Sequence, residues 1–454
     1  MRLSCVALAL TLCTLVPISA GNAQQEETVG PPPLTDLVNP AEPQPTQAED
    51  LSPNPFREST PQESAAESSA GPGFSEASDQ GSIEPIPQLT APPTPSPIVP
   101  SPTPTPSPFS STSSATSAST SQDSNNSFSP RLARAAPIMG DSLSPSLRFV
   151  DPFDDTVAEI PTGGGATRRK IGENTGALPT DRIIFNYNNF QNAVNSISEA
   201  TNIDRFTLGV EKAFMDGLFS IDVRLPLSAN NDFADANVPF SRNGSELGNV
   251  SAALKVLLTS EENYALAAGM VVDTPTGSAT NILLPNSATL KLNNDAVHLA
   301  PFLGFLFLQN GGLIHQGFLQ VDVATNANGV VYSEVTDVVT NFEEQTLLYV
   351  DYALSKAVYE ARSSQDILQR LSGHVEFHYT TTLEDSDEIE IAAPNTDFTM
   401  RSQGNRIDVM NLTLGLDTLL SCGANLRFGT VVPLTKCDDR FFDIEFLAQV
   451  NFAL

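Results

Sequence analysis

Tryptophan is absent from these 454 residues, and histidine and cysteine occur four times each. Lys and Arg together number 23 against 53 Asp and Glu, for a formal net charge of −30. So large a deficit of positive charge argues against nucleic acid as a partner. Past residue 23, no stretch supplies the roughly 18 uninterrupted apolar residues that a spanning helix needs. A membrane location must therefore come from strands or not at all. No G-x-S-x-G, H-E-x-x-H or phosphate-loop pattern is present. The sequence reads as no enzyme, with no catalytic residue and no cofactor.

Composition divides the chain. Residues 1–23 have the build of a signal peptide for export by a Sec-type route. Arg2 gives the positive start, an apolar stretch follows to Ile18, and Gly21-Asn22-Ala23 gives a small-x-small cleavage site. Residues 24–167 are rich in Pro, Ser, Thr and acids, with APPTPSPIVPSPTPTPSP as the extreme. Too few large apolar side chains are present to offset the entropy of folding, so the expectation is a disordered, acidic linker. It reads as a tether, with cell-wall components as a second reading for its partner. Residues 168–180 read as a periplasmic lead-in or plug, in which Arg168, Arg169 and Lys170 would suit an acidic lumen. From 181 to 454 the texture is that of strands.

The end of the chain, FDIEFLAQVNFAL, shows the pattern best. Phe442, Ile444, Phe446, Ala448, Val450, Phe452 and Leu454 share one parity. Asp443, Glu445, Gln449 and Asn451 lie on the other, with Leu447 and Ala453. Successive side chains of a strand point to opposite faces, so one face is apolar and the other mostly polar. Similar runs recur near 182–190, 205–214, 219–227, 250–259, 264–274, 297–309, 313–324, 346–356, 372–383, 406–419 and 425–434. With the last, that makes about twelve. Short connections alternate with long ones at 228–248, 275–296, 325–345 and 384–405. This is the layout of an all-β, antiparallel transmembrane β-barrel of the bacterial outer membrane, with the long loops outside. Three details complete the expectation. A bulge near Met410–Asn411 reconciles the parity of Ile407 and Val409 with Leu412. The connection 357–371 is long enough for a short helix. Cys422 and Cys437, at opposite ends of one spanning strand, lie too far apart for a disulfide.

If the apolar parity faces lipid, the lumen receives Glu211, Asp222, Asp322, Asp351, Glu376, Asp417, Asp443 and Glu445. It also receives Arg182, Arg205, Arg224, Lys255 and Arg427. Acids in excess favour cations. Alternatively the charges pair across neighbouring strands and fill a narrow barrel. His374, Glu376 and His378 share a strand face and form a minor metal candidate, though alternate residues are about 6.5–7 Å apart. An inward ladder of Phe302 and Phe318 would favour apolar or aromatic solutes. A charge at Phe446 is expected to be costly, and one at Gln449 to be tolerated.

APIMGDS, KIGENTGALPTDRIIFNYNNF, RFTLGVEKAFMDGLFSIDVRLPL, FGTVVPL and FFDIEFLAQVNF resemble a family of predicted bacterial outer-membrane β-barrels of planctomycete-type bacteria. That family is related in style to porin-like channels of the aromatic meta-pathway (phenol-degradation) type. The resemblance spans about 136 to the C-terminus and implies a channel with the lipid bilayer, the barrel-assembly machinery and small solutes as partners. It carries no catalytic residues. Leu454 departs from the terminal aromatic common in such barrels. The function expected is a channel or porin-like transporter of small solutes, cation-preferring or passing apolar and aromatic compounds. The rival is a non-conducting structural or binding barrel with a filled lumen. A secreted β-sandwich and a barrel hydrolase stand behind both.

Overall fold

The computed structural model describes residues 129, 131–142, 145–150, 157–195, 200–229, 233–234, 241–242, 246–283, 289–332, 338–393, 396–402, 406–435 and 439–454. Period-2 alternation becomes twelve long strands. They are β1 (Arg182–Asn195), β2 (Ala200–Phe214), β3 (Phe219–Ala229), β4 (Val250–Ser260), β5 (Tyr264–Thr274) and β6 (His298–Leu308). The ring continues with β7 (Leu313–Ala324), β8 (Thr346–Glu360), β9 (Leu368–Glu384), β10 (Asp408–Leu420), β11 (Ala424–Pro433) and β12 (Ile444–Ala453). Each pairs antiparallel with its neighbours, and β12 pairs with β1 from Ile444↔Gln191 to Ala453↔Arg182. The ring is closed, so none of its twelve strands is left as a sheet edge.

The two wall faces differ in chemistry as the alternation implies. Leu208, Leu303, Leu319, Phe377, Leu414, Phe428 and Phe446 stand exposed on the outside. The alternate positions, such as Glu211, Asp322, Glu376 and Arg427, are fully buried. A closed barrel with an apolar exterior is the architecture of a transmembrane β-barrel.

Connections at one end are short, as in Met215–Leu218 between β2 and β3, where Met215, Asp216 and Gly217 all adopt positive φ. At the other end the long connections fold on themselves. Their strands form a six-stranded sheet, from Phe233–Ala234 to Val338–Phe342. A second sheet has four strands and includes Glu388–Ala393 and Thr396–Ser402. Leu147, Phe149, Ile282, Leu290, Tyr332, Phe342 and Met400 from these sheets share one apolar core with Val409 and Phe442.

Three expectations are corrected. No bulge lies at Met410–Asn411, because β10 pairs with β9 in unbroken register from Asp408 to Leu419. Ile407 and Val409 point inward because the mouth they border is capped by the apolar core. The connection 357–371 forms no helix: β8 and β9 extend as strands to Glu360 and from Leu368, leaving a turn of 361–367. The linker expected to reach 167 ends earlier. Ser146–Val150 and Val157–Pro161 are strands, and Ile138, Met139, Phe149 and Ile160 are buried. A Pro- and Ser-rich average concealed those short apolar runs.

Cys422 is a free thiol, and Cys437 lies outside the described residues.

Candidate functional site in the barrel lumen

The described parts of residues 129–180 enter and leave the barrel by the same end. Leu132–Arg134 is one 3-10 turn beside the short turns: Arg131 meets Glu262 at 3.3 Å, and the Arg134 carbonyl accepts from Arg370. A rising leg, 136–142, runs along the lumen to the long-loop end. There Ser146–Val150 pairs with Val157–Pro161 and with Thr396–Ser402. The turn Thr162–Gly165 reverses the chain, and a descending leg, 166–180, returns to the start of β1. Inside, the legs touch through an Ile138↔Thr175 bridge and an Asn174 N–H bond to the Met139 carbonyl at 3.1 Å.

Among the described residues, every barrel strand except β6 gives the segment a hydrogen bond or ion pair. On β6 the contact is apolar: Phe302 shares a core with Ile138, Ile171, Leu178 and Phe318. The rings of Phe302 and Phe318 face inward, 6.1 Å apart and edge to face. They lie over Gly269 and Gly304, where a Cβ would overlap them.

Charge pairing joins segment to wall. Arg169 meets Asp222 at 2.7 Å. Arg168 meets Glu344 at 2.7 Å and faces Asp322, which also bonds His298 at 3.0 Å. Lys170 meets Asp351 at 2.9 Å and also Asp141 of the rising leg. Glu173 meets Arg205 at 3.3 Å. Burial opposes ionisation of Asp141, but Lys170 and His378 outweigh it and hold the carboxyl down to about 2. Burial likewise works against the Lys170 ammonium, and Asp141 with Asp351 raises its pKa above the usual lysine value nonetheless. Arg169 goes the other way, because burial and the neighbouring Arg224 outweigh Asp222.

The remaining wall charges are placed as follows. Glu211 accepts from Arg182 at 2.8 Å and Lys255 at 2.9 Å. Arg224 meets Asp222 at 2.9 Å, two residues away on the same strand. Asp417 lies 3.4 Å from Arg427. Glu445 accepts from Asn188 at 2.6 Å. Asp443 is not in the lumen. It precedes β12, is part-exposed and bonds Asn192 and Arg440 at the long-loop rim, because inward parity ends where the strand does.

The His374, Glu376 and His378 side chains share the inner face of β9 without converging on one point. Glu376 accepts the N–H groups of Met139 and Gly140 at 2.9 Å, and His378 Nδ1 bonds Asp351 at 2.7 Å. The ligand atoms that do cluster belong to Asp141, Asp351 and His378. The Lys170 ammonium already supplies the positive charge there.

Several site residues escaped the sequence reading. Asp273 accepts the Arg169 N–H at 3.0 Å, but the rest of the β5 inner face is Ala265, Ala267, Gly269 and Val271, which hid its parity. Asn174, at φ 42°, bonds Asn186 and Asn451 across the β1–β12 closure. No local pattern marks it.

Between segment and wall, two cavities near the long-loop end measure about 20 Å³ each, room for about one water. At the short-turn end two cavities of about 550 and 650 Å³ open around residues 131–137.

No protein-family model and no curated protein matches this sequence. Solved structures resemble it in fold. An outer membrane channel from Pseudomonas putida F1 is 10% identical, with a TM-score of 0.40 over 60% of this chain and 95% of that one. The NanC porin is 7% identical, with a TM-score of 0.34 over 61% of this chain and 100% of that one. The Pseudomonas putida toluene transporter TodX is 6% identical, with a TM-score of 0.33 over 60% of this chain and 87% of that one. Identities and TM-scores this low transfer no role from those proteins to this one.

Proposed function

We propose that this protein is a bacterial outer-membrane channel for small solutes, closed at rest by its own segment 136–180. One observation carries the reading: two legs of the chain, 136–142 and 166–180, lie inside the ring and take hydrogen bonds or ion pairs from eleven of its twelve strands, in addition to the pairs the wall makes with itself. Barrels of about eight strands are filled by their side chains and those of about 16–18 leave an aqueous channel, and diameter grows with strand number between them. The exposed apolar belt supports insertion in a bilayer, which requires delivery by barrel-assembly machinery. With the segment withdrawn, acids outnumber bases along the wall, which supports cation preference. The inward Phe302 and Phe318 support passage of apolar or aromatic compounds along the opposite side. Ser129 and Arg131, where the described chain begins, lie at the short-turn end, which supports a periplasmic arm within reach of the cell wall.

Planar-bilayer recording of the full chain and of Lys170→Glu tests this. The expected result is rare openings in the parent and frequent, stepwise, cation-selective openings in the variant. If both are silent while both show the heat-modifiable migration of a folded barrel, the barrel is a non-conducting anchor.

A further inference from the structure

The lumen wall bonds mainly to the backbone of the segment it holds. Gln320 Oε1 accepts the Ile171 N–H at 2.6 Å, while its Nε2 donates to the Arg169 carbonyl at 2.9 Å. One amide side chain thus does what a neighbouring strand would do. Arg224 donates to the Glu173 and Asn174 carbonyls at 2.6 and 3.1 Å. Lys255 donates to the Gly176 and Leu178 carbonyls at 2.7 and 3.2 Å. On the rising leg, Arg427 donates to the Pro137 and Ile138 carbonyls, and Gln449 to the Met139 carbonyl at 2.8 Å. Glu376 takes the next two N–H groups with both carboxylate oxygens. These readers are fixed on rigid strands, deeply buried, and face both N–H and C=O groups. Every peptide carries those groups whatever its side chains. Main-chain bonds of this kind give affinity without sequence specificity, as in strand addition to a sheet edge.

We propose that the lumen is a binding site for peptide main chain, and that short peptides are a solute class it takes when the segment withdraws. This rests on the channel reading and names its substrate class. Neither sugars nor simple ions offer alternating donors and acceptors at peptide spacing.

The test uses the full-length Lys170→Glu variant and three synthetic peptides. One copies 166–178, one keeps Arg168, Arg169, Lys170, Gly172, Glu173 and Asn174 in place and scrambles the other residues, and one copies 166–178 with N-methyl groups at Arg169 and Ile171. Binding is read by fluorescence anisotropy in detergent and, separately, as block of single-channel current. The expected result is similar affinity for the first two and at least about tenfold weaker binding of the third. The Gln320→Ala/Arg427→Gln double variant should lose affinity for all three. Loss of binding on scrambling would overturn the proposal, since the wall would then read side chains of its own segment only. Equal binding of the methylated peptide, or none of any peptide, would overturn it too. Peptide binding without conductance would instead retain the site and reject the channel.

Discussion

The Lys170 ammonium lies 2.9 Å from the Asp351 carboxylate, with both side chains buried inside the barrel. Since Lys170 also meets Asp141, one charge ties the descending leg to the rising leg and to the wall. Removing one member of a buried pair strands the other, at about 3–5 kcal/mol. Lys170→Ala should therefore loosen the segment and lower the unfolding temperature on heat-modifiability gels. Lys170→Met/Asp351→Asn/Asp141→Asn, which removes both partners of the ammonium, should recover much of that loss while keeping the lumen closed. If the triple variant is as unstable as the single one, the cluster is not the tie.

The lock should be insensitive to pH over a wide range. Asp141 is held below its ordinary 3.8, at about 2, so its contribution is complete above 3.8 and is lost as pH falls toward 2. Lys170 is raised above 10.5, so its share is complete below that value and is lost only at still higher pH. The Lys170–Asp141 tie itself should therefore contribute evenly from about pH 5 to 9, and opening frequency should rise below about pH 3. A midpoint near neutrality would place control in another group.

Gly415 of β10 leaves room for the sulfur of Met139, which a Cβ at that position would overlap. Gly415→Val should push the rising leg off the wall. Proteolysis of the segment should quicken while the barrel itself remains folded. Unchanged proteolysis would mean that Met139 swings aside at no cost.

Phe446 and Gln449 lie on opposite faces of β12. Phe446 is 47% exposed on the apolar exterior, and an arginine there should cost about 2–4 kcal/mol near the bilayer midplane. Gln449 is 1% exposed and joins Arg427 to the Met139 carbonyl. A charge at Gln449 should therefore release the segment and raise conductance, with little loss of barrel stability. The sequence alone suggested simple tolerance at this position. Equal effects at both positions would mean that the Phe446 face never meets lipid.

The hairpin at the long-loop end should be reachable from outside the cell. Val150→Cys, in a chain with Cys422 and Cys437 replaced by serine, should react with an impermeant maleimide on intact cells. Ser129→Cys should react only after the outer membrane is opened. The reverse pattern would invert the threading.

How much of this was legible depended on where side chains carried the information. The β12 alternation, with Phe446 out and Glu445 in, follows from a wall that has lipid-like surroundings on one side and polar groups on the other. The same rule misplaced Asp443, which lies past the strand end. It misread Val409 as needing a bulge, because the mouth beside it is apolar. The segment was harder to see. APIMGDS is held by carbonyl and N–H groups at Pro137 to Gly140, and main-chain recognition leaves no signature in side-chain type. Arg168, Arg169 and Lys170 stood out because their contacts are made by charge.

Because both legs leave by the same mouth, no chain end has to pass through the ring of strands. The segment can be drawn out as a slack loop, and a pull on the residues preceding Ser129 would strip the rising leg first. The descending leg stays leashed to β1 through Asp181. Re-entry is then an intramolecular event, at an effective concentration on the order of millimolar for a short tether. On the channel reading, opening would be self-resetting, because the stopper stays tethered to the wall.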